Sequence, residues 1–276
     1  MTTTPPAPTL TAYTDANPCP RVEVLVTPMP GDADTITVWR TWKGQRAVVR
    51  DAQNVEVAGA FLVVDYEAPL GTSVTYTCQT ADSAGIPSQI SPDASTTVAA
   101  TVMWLQDALD PTSAVPVSLQ IGAATSGYTA VVPTIVPATY SADTTVAPIH
   151  GAELPVAFGD VRRAASRMPW SVIAWTPADT EALRTLLKQA FPLCMRTPST
   201  IPQLTGLTYL SMPDIVEIPY PGWQATRFEA TVDSVRGPGA GIVVQPRTYA
   251  ALPDEAATYT ALKVVYATYL DVKRGL

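Results

Sequence analysis

Hydrophobic and polar positions alternate in short runs along the first third of the chain. Arg21-Val-Glu-Val-Leu-Val-Thr27 has nearly the two-residue period of a half-buried strand, and Pro28 to Asp34 follows as a loop. Further strand-like runs cover Thr35 to Trp42, Ala47 to Asp51, Ala60 to Asp65 and Ser73 to Thr80. Short strands at regular intervals, with almost no helical period, predict an antiparallel sandwich over residues 19–102. Residues 1–18 carry Pro5, Pro6, Pro8 and Pro18 among threonines and alanines. Few large apolar groups and repeated fixed-φ positions predict an extended arm, ordered by neighbouring subunits rather than by this chain's own core.

A second domain is expected over residues 103–247, with strand-like runs at Val115 to Ile121, Pro155 to Phe158, Ser171 to Trp175, Leu207 to Leu210, Thr226 to Ser234 and Gly241 to Gln245. One helix stands out, over residues 177–190. Thr176 is the cap, Pro177 takes the first helical position and Asp179 lies three residues after the threonine. Ala182, Leu183, Leu186, Leu187 and Ala190 repeat at helical spacing, and Pro192 stops the element. The C-terminal stretch 248–276 holds an internal repeat: Thr248-Tyr-Ala-Ala-Leu252, Thr258-Tyr-Thr-Ala-Leu262 and Thr268-Tyr-Leu-Asp-Val272. A ten-residue step rotates successive tyrosines away from one another on a continuous helix. Separate helical turns, each capped by its threonine, are the first reading, and one uneven helix after Pro253 is the second. Tyr249, Leu252, Tyr259, Leu262, Tyr269 and Val272 are then candidate assembly contacts.

Two resemblances sharpen the picture. Val64-Asp-Tyr-Glu-Ala-Pro-Leu-Gly71, Tyr76-Thr-Cys78 and Asp82-Ser-Ala-Gly85 resemble the later strands of a fibronectin type III or immunoglobulin-like domain. Tyr76, two residues before Cys78, stands where such folds place a tyrosine whose hydroxyl caps a nearby backbone group. The second domain resembles a family of minor tail proteins of actinobacterial siphophages. The landmarks, in order, are Trp104-Leu-Gln-Asp107 with Asp110-Pro111, Leu154-Pro-Val156, Val161-Arg-Arg163, the Thr176 to Leu187 helix, Pro192-Leu-Cys-Met-Arg196 with Pro198, and the terminal repeats. The β-rich domain with one flanking helix also looks like the fold of tail-tube and distal-tail proteins, an analogy at the level of fold. These resemblances imply a mainly β structural component of a tail tip or baseplate, found in the virion and made in the host cytoplasm. Its partners would be copies of itself and neighbouring tail proteins, in a ring of six-fold or else three-fold symmetry. A receptor- or glycan-binding tail module is the alternative.

Composition narrows the chemistry. The chain is 47% hydrophobic and 15% charged, the balance of a folded protein, and its longest apolar runs are too short for a membrane-spanning helix. The N-terminus has neither the basic start nor the apolar stretch of a signal peptide. A net charge of -7 argues against a nucleic-acid grip, and Arg162, Arg163 and Arg167 read as a solvated or intersubunit patch. No cofactor or metal site is expected. The single histidine, His150, sits in a loop-like stretch without a nucleophile motif, and the three cysteines include no C-x-x-C pair. Cys194 reads as a small buried hydrophobe. Cys19 and Cys78 could pair across the sandwich, but a reducing cytoplasm favours free thiols. Gly237-Pro-Gly-Ala-Gly241 lacks the lysine of a phosphate-binding loop and reads as a hairpin loop. Asp65 with Glu67 falls at a turn, and Asp254 with Glu255 reads as a helix start, so neither pair suggests a glycosidase. Trp39, Trp42, Trp170, Trp175 and Trp223 are expected in cores or interfaces for the most part, with Trp42 and Trp223 as the two candidates for glycan stacking.

Overall fold

A computed structural model describes residues 2–14, 18–118, 127–130, 140, 144–147, 156–159, 165–198, 206–220, 222 and 224–240. The expected strand over 241–245, Arg162, Arg163, Trp223, His150 and the repeat with Tyr249, Leu252, Tyr259, Leu262, Tyr269 and Val272 lie outside the described residues. The chain is mainly β, with one α-helix among the described residues. No described helix is long and apolar enough to cross a membrane.

The first unit holds Thr9–Tyr13 (β1), Arg21–Val26 (β2), Thr35–Trp42 (β3), Gln45–Val48 (β4), Val55–Glu56 (β5), Phe61–Asp65 (β6), Ser73–Ala81 (β7) and Ala94–Thr97 (β8). β1, β2 and β6 form one antiparallel sheet; β4, β3, β7 and β8 form another, with β5 paired to the start of β3. Strand alternation turns Val22, Val24, Val26, Phe61 and Val63 of the first sheet toward Ile36, Val38, Val74, Tyr76 and Cys78 of the second, and these side chains share one core. β3 and β4 are joined through Lys43 and Gly44, both at positive φ (48° and 74°). That pair of left-handed residues is the two-residue turn whose twist matches a hairpin, and glycine meets its second position without strain.

The N-terminal arm requires a correction. Thr9 to Tyr13 pair in antiparallel register with Leu25 to Arg21 of the same chain, and Leu10 and Ala12 pack on its core. Upstream, the Thr2 hydroxyl donates to the Ile86 carbonyl at 2.9 Å, and Thr3 donates to Asp32 from both its amide and its hydroxyl. No proline falls between Pro8 and Pro18, so every residue of β1 keeps the amide that a ladder needs. Backbone pairing replaces the large apolar side chains whose absence suggested an arm.

The second unit holds Met103–Asp107 (β9), a 3-10 turn at Pro111–Ser113, Val115–Ser118 (β10), Tyr128–Ala130 (β11), Thr144–Ala147 (β12), Val156–Gly159 (β13), Met168–Ala174 (β14), Pro177–Gln189 (α1), Leu193–Arg196 (β15), Leu207–Ser211 (β16), Ile215–Pro219 (β17) and Thr226–Val235 (β18). Seven strands run in the order β14-β11-β10-β9-β15-β16-β18, and pairing of β14 with β18 closes them into a barrel. Only β10–β11 is parallel among these pairs. Ten-residue β18 makes the closure possible: residues 226–232 pair with β14, while residues 233–235 pair with β16 on the opposite side. β17 extends the sheet as an outer hairpin partner of β18, and β12 pairs with β13 in a separate two-stranded sheet.

The helix begins as expected. The Thr176 hydroxyl accepts from the Asp179 amide and Pro177 stands in the first turn. The Asp179 carboxylate accepts from the Thr176 hydroxyl and also from the Gly127 amide at 3.0 Å, which anchors the helix start to the strand beside it. Leu183, Leu186 and Leu187 enter the barrel core among Met103, Trp170, Met195 and Phe228. Ala182 points to solvent, and buried Thr180 completes the inner face instead, its hydroxyl donating back to the Thr176 carbonyl. Truncating Leu183, which is fully buried, removes core volume that neighbours refill only in part. Leu183→Ala is therefore expected to cost about 2–5 kcal/mol in chemical denaturation. Ala182→Lys should stay within about 0.5 kcal/mol of the parent. Equal losses at the two positions would show that the helix buries a different face.

Candidate functional site

Alternation along one wall of the barrel produces the joint between the two units. Met103 and Leu105 of β9 face the barrel core, while Trp104 packs into the core of the first unit. On the neighbouring strand β15, Leu193 and Met195 face inward, leaving Cys194 and Arg196 on the opposite face. All four β15 residues are buried, because both faces of the strand are covered. The boundary near residue 103 is thus a shared wall rather than a linker: Trp104 belongs to the second unit by pairing and to the first by packing.

A buried polar cluster sits behind this wall. Arg40 Nη1 donates to both oxygens of Asp65, at 2.7 and 2.8 Å, and the Tyr76 hydroxyl donates to Oδ2 at 2.8 Å. The Glu67 amide closes a tight turn on Asp65 Oδ1. Arg50 donates from Nε and Nη2 to Glu67 Oε1, at 3.1 and 2.6 Å, and Arg40 Nη2 lies 4.0 Å from Glu67 Oε2. From the second unit, Arg196 Nη1 reaches the carbonyls of Pro20 and Ala68, at 2.7 and 3.2 Å, and Gln106 Nε2 donates to the Tyr66 carbonyl. Arg196 Nε and Nη2 find no partner among the described residues.

This cluster corrects one expectation and completes another. Tyr76 is buried on β7, and its hydroxyl binds the Asp65 carboxylate rather than the backbone group that the resemblance implied. Asp65 and Glu67, read only as turn acids, are the anionic half of the joint; their arginine partners lie 25 and 17 residues away in sequence. Burial disfavours a charged Arg40, yet Asp65 and Glu67 outweigh it and the guanidinium is held above its ordinary range. The Tyr76 phenol is pushed up from 10.0, first by burial and then by Asp65. The Cys194 thiol is pushed up from 9.0, again first by burial and then by Glu67. All three cysteines are buried free thiols.

At its open side the joint becomes an interdomain cleft of about 1030 Å³. Arg40, Arg50 and Glu67 line its inner part with Tyr209, the β4 strand forms one wall, and Leu207 with residues 234–240 form the other. The glycine-rich stretch after β18 lies against the first unit: Arg50 Nη1 donates to the Gly239 carbonyl at 3.0 Å, and the Asp51 amide lies 3.4 Å from the Ala240 carbonyl. Gly237 is required here, since a Cβ would overlap the Tyr209 ring. Trp42, a glycan candidate from sequence, stands at the rim. Its Nε1 donates to Thr72 at 2.9 Å, its ring lies against Gly206, and Lys43 sits 4.7 Å from the ring centre. Trp39 carries Arg46 over its face, Trp170 is in the barrel core, and Trp175 donates to Thr129. Arg167 is exposed and its amide donates to Asp233. No group of three or more metal-ligating side chains occurs among the described residues.

No family model, curated protein or solved structure matches the chain.

The buried phenol and thiol predict an alkaline limit to stability. A group whose pKa is raised on folding contributes fully below its unfolded value and loses that contribution as pH rises. The melting temperature should hold steady up to the ordinary values of 9.0 and 10.0 and fall beyond them, as unfolding releases Cys194 and Tyr76 to ionise. Tyr76→Phe should cost about 1 kcal/mol near neutrality, through the lost bond to Asp65, and flatten the alkaline fall. A fall of unchanged steepness in the variant would remove Tyr76 from this explanation.

Proposed function

We propose that the protein is a structural subunit of a bacteriophage tail tip, assembling around the tail lumen through contacts with its own copies and with neighbouring tail proteins. The observation that carries this reading is the β12–β13 hairpin, which pairs with no other described strand. A lone two-stranded hairpin is marginal in water, so a neighbouring surface that packs against it contributes directly to its stability. The joint between the units also supports the reading: a subunit that transmits position through an assembly benefits from two units sharing one buried wall. The ordered landmarks from Trp104 to Pro198 are those of the siphophage minor tail family that the second unit resembles.

Within this reading the first unit is an immunoglobulin- or fibronectin type III-like sandwich, supported by its two stacked sheets and by Tyr76 on β7. The barrel with its inserted helix is the tail-tube-like unit, and six-fold symmetry, with three-fold next, follows from that analogy. The virion is its place of action. The glycan-binding alternative draws little from Trp42, whose ring and Nε1 are already engaged by Gly206 and Thr72.

Deleting residues 248–276 tests the assembly role. Ordering such a segment costs roughly 1–2 kcal/mol per residue in backbone entropy, which contacts with neighbouring subunits would offset. The expected result in electron micrographs is defective tails or loss of the truncated protein from particles, while normal tails at full copy number would overturn the role. His150→Ala should leave infectivity largely intact, and a loss of infectivity with normal assembly would point to chemistry instead. Neither Trp42→Ala nor Trp223→Ala should alter adsorption to host cells; saturable binding by the isolated protein, lost in either variant, would favour the glycan-binding module.

A further inference from the structure

The interdomain cleft runs along a strand edge that no other described strand covers. β4 is the terminal strand of its sheet, and all four of its residues, Gln45 to Val48, line the cleft. The two-residue turn makes Trp42 and Gln45 the closing hydrogen-bonded pair of the hairpin, and pairs alternate from there. The bond from the Val49 amide to the Val38 carbonyl, at 2.9 Å, has the same parity. Arg46 and Val48 therefore direct an amide and a carbonyl each away from β3, toward the cleft. An edge of this kind is a template for a further strand.

Charge around the cleft has one sign in excess. Four arginines line it, Arg40, Arg46, Arg50 and Arg236, against the single carboxylate of Glu67. Arg40 and Arg50 are committed to Asp65 and Glu67. Arg46 and Arg236 are exposed at the two walls, and neither forms an ion pair among the described residues. This excess occurs in a chain whose net charge is -7, so it is local to the cleft rather than a reflection of composition. The volume, about 1030 Å³, matches the upper end of ordinary ligand sites and accommodates a short extended segment.

We propose that the cleft is a strand-acceptor site, in which an extended acidic peptide segment pairs with the outer edge of β4 and places its carboxylates against Arg46 and Arg236. Main-chain pairing supplies affinity, while charge supplies selection and orientation. The arginine that repels a second β4 edge from another copy attracts an acidic strand. β17, the outer strand of the barrel sheet, lacks this combination: it ends in Pro219, and its Glu217 is held by Arg184 of the helix. This inference goes beyond the tail-tip reading and does not depend on it, since any protein with such a segment satisfies the site.

The test uses the full-length protein and fluorescence anisotropy. Its probe is a labelled peptide of alternating glutamate and threonine, with a lysine–threonine peptide and a dextran sulfate oligosaccharide for comparison. The glutamate peptide should bind saturably, weaken as salt is raised, and lose at least tenfold in affinity in Arg46→Glu/Arg236→Glu. Val48→Pro removes only an amide that points away from β3, a position where an edge strand tolerates proline, and leaves every arginine in place. It should also lose at least tenfold, with an unchanged far-ultraviolet spectrum confirming the fold. If Val48→Pro spoils that spectrum, Val48→Thr, which keeps the amide, must bind as the parent does, and the peptide's protection of the Arg46 and Val48 amides from hydrogen exchange decides. Equal binding of the two peptides, parental affinity in a folded Val48→Pro, absence of that protection, or binding of dextran sulfate without the peptide would each overturn the proposal.

Discussion

Three buried arginines and two buried carboxylates meet where the two β units join, and the architecture depends on how those charges are matched. Taking an ion out of water costs several kcal/mol even after the protein relaxes, so the cluster is tolerable only with near-complete hydrogen bonding. Asp65 shows how this is achieved, since its two oxygens receive Arg40, the Tyr76 hydroxyl and the Glu67 amide. Glu67 in turn holds Arg50. Arg196 has no carboxylate partner of its own among these bonds and is held by two carbonyls of the first unit. Its Nη1 is bonded only when the units are together, which makes it a latch that favours the docked arrangement over a packed but differently oriented one.

The latch has consequences on both sides of the wall. In the barrel, β15 must present Leu193 and Met195 inward in order to present Cys194 and Arg196 outward, so barrel register and interdomain register are the same register. A one-residue slip would place a guanidinium in the barrel core and a leucine against the carboxylates. In the first unit, Arg50 faces both ways. It binds Glu67 within the cluster and the Gly239 carbonyl beyond β18, so the end of the last described strand is tied to the same charges. The cleft beside β4 exists because this tie brings residues 236–240 across from the hairpin without filling the space between them.

Much of the fold was legible because its signals are local. The helix follows from Thr176-Pro177 with leucines at 183, 186 and 187, and β3 and β7 from their strand-like runs. The Lys43-Gly44 turn was not anticipated, and the strand expected over Ala47 to Asp51 begins two residues earlier, at Gln45. Elements escaped where the signal was a partner rather than a pattern. β1 has few large apolar residues and is a strand because β2 offers it a complete ladder. β15 is four residues between prolines, with both faces buried, so it shows no alternation of polar and apolar positions to read. Of the polar cluster, Asp65 and Glu67 read as turn acids, Tyr76 stood out through a resemblance and Arg196 only as part of a landmark, while Arg40 and Arg50 carry no local signal.

What the amino-acid sequence determined by itself was the mainly β character and the position of the helix and its cap. Each depends on neighbours within a few positions, or on composition alone. The tertiary structure decided the rest: that β14 and β18 close a barrel, that Trp104 leaves its own unit's core, and that Arg196 is a latch. Those outcomes depend on contacts such as Arg196 with Pro20, 176 residues apart. A charged side chain has no periodic signature that distinguishes a solvated surface position from a buried joint. Only the partner brought to it by the fold makes that distinction.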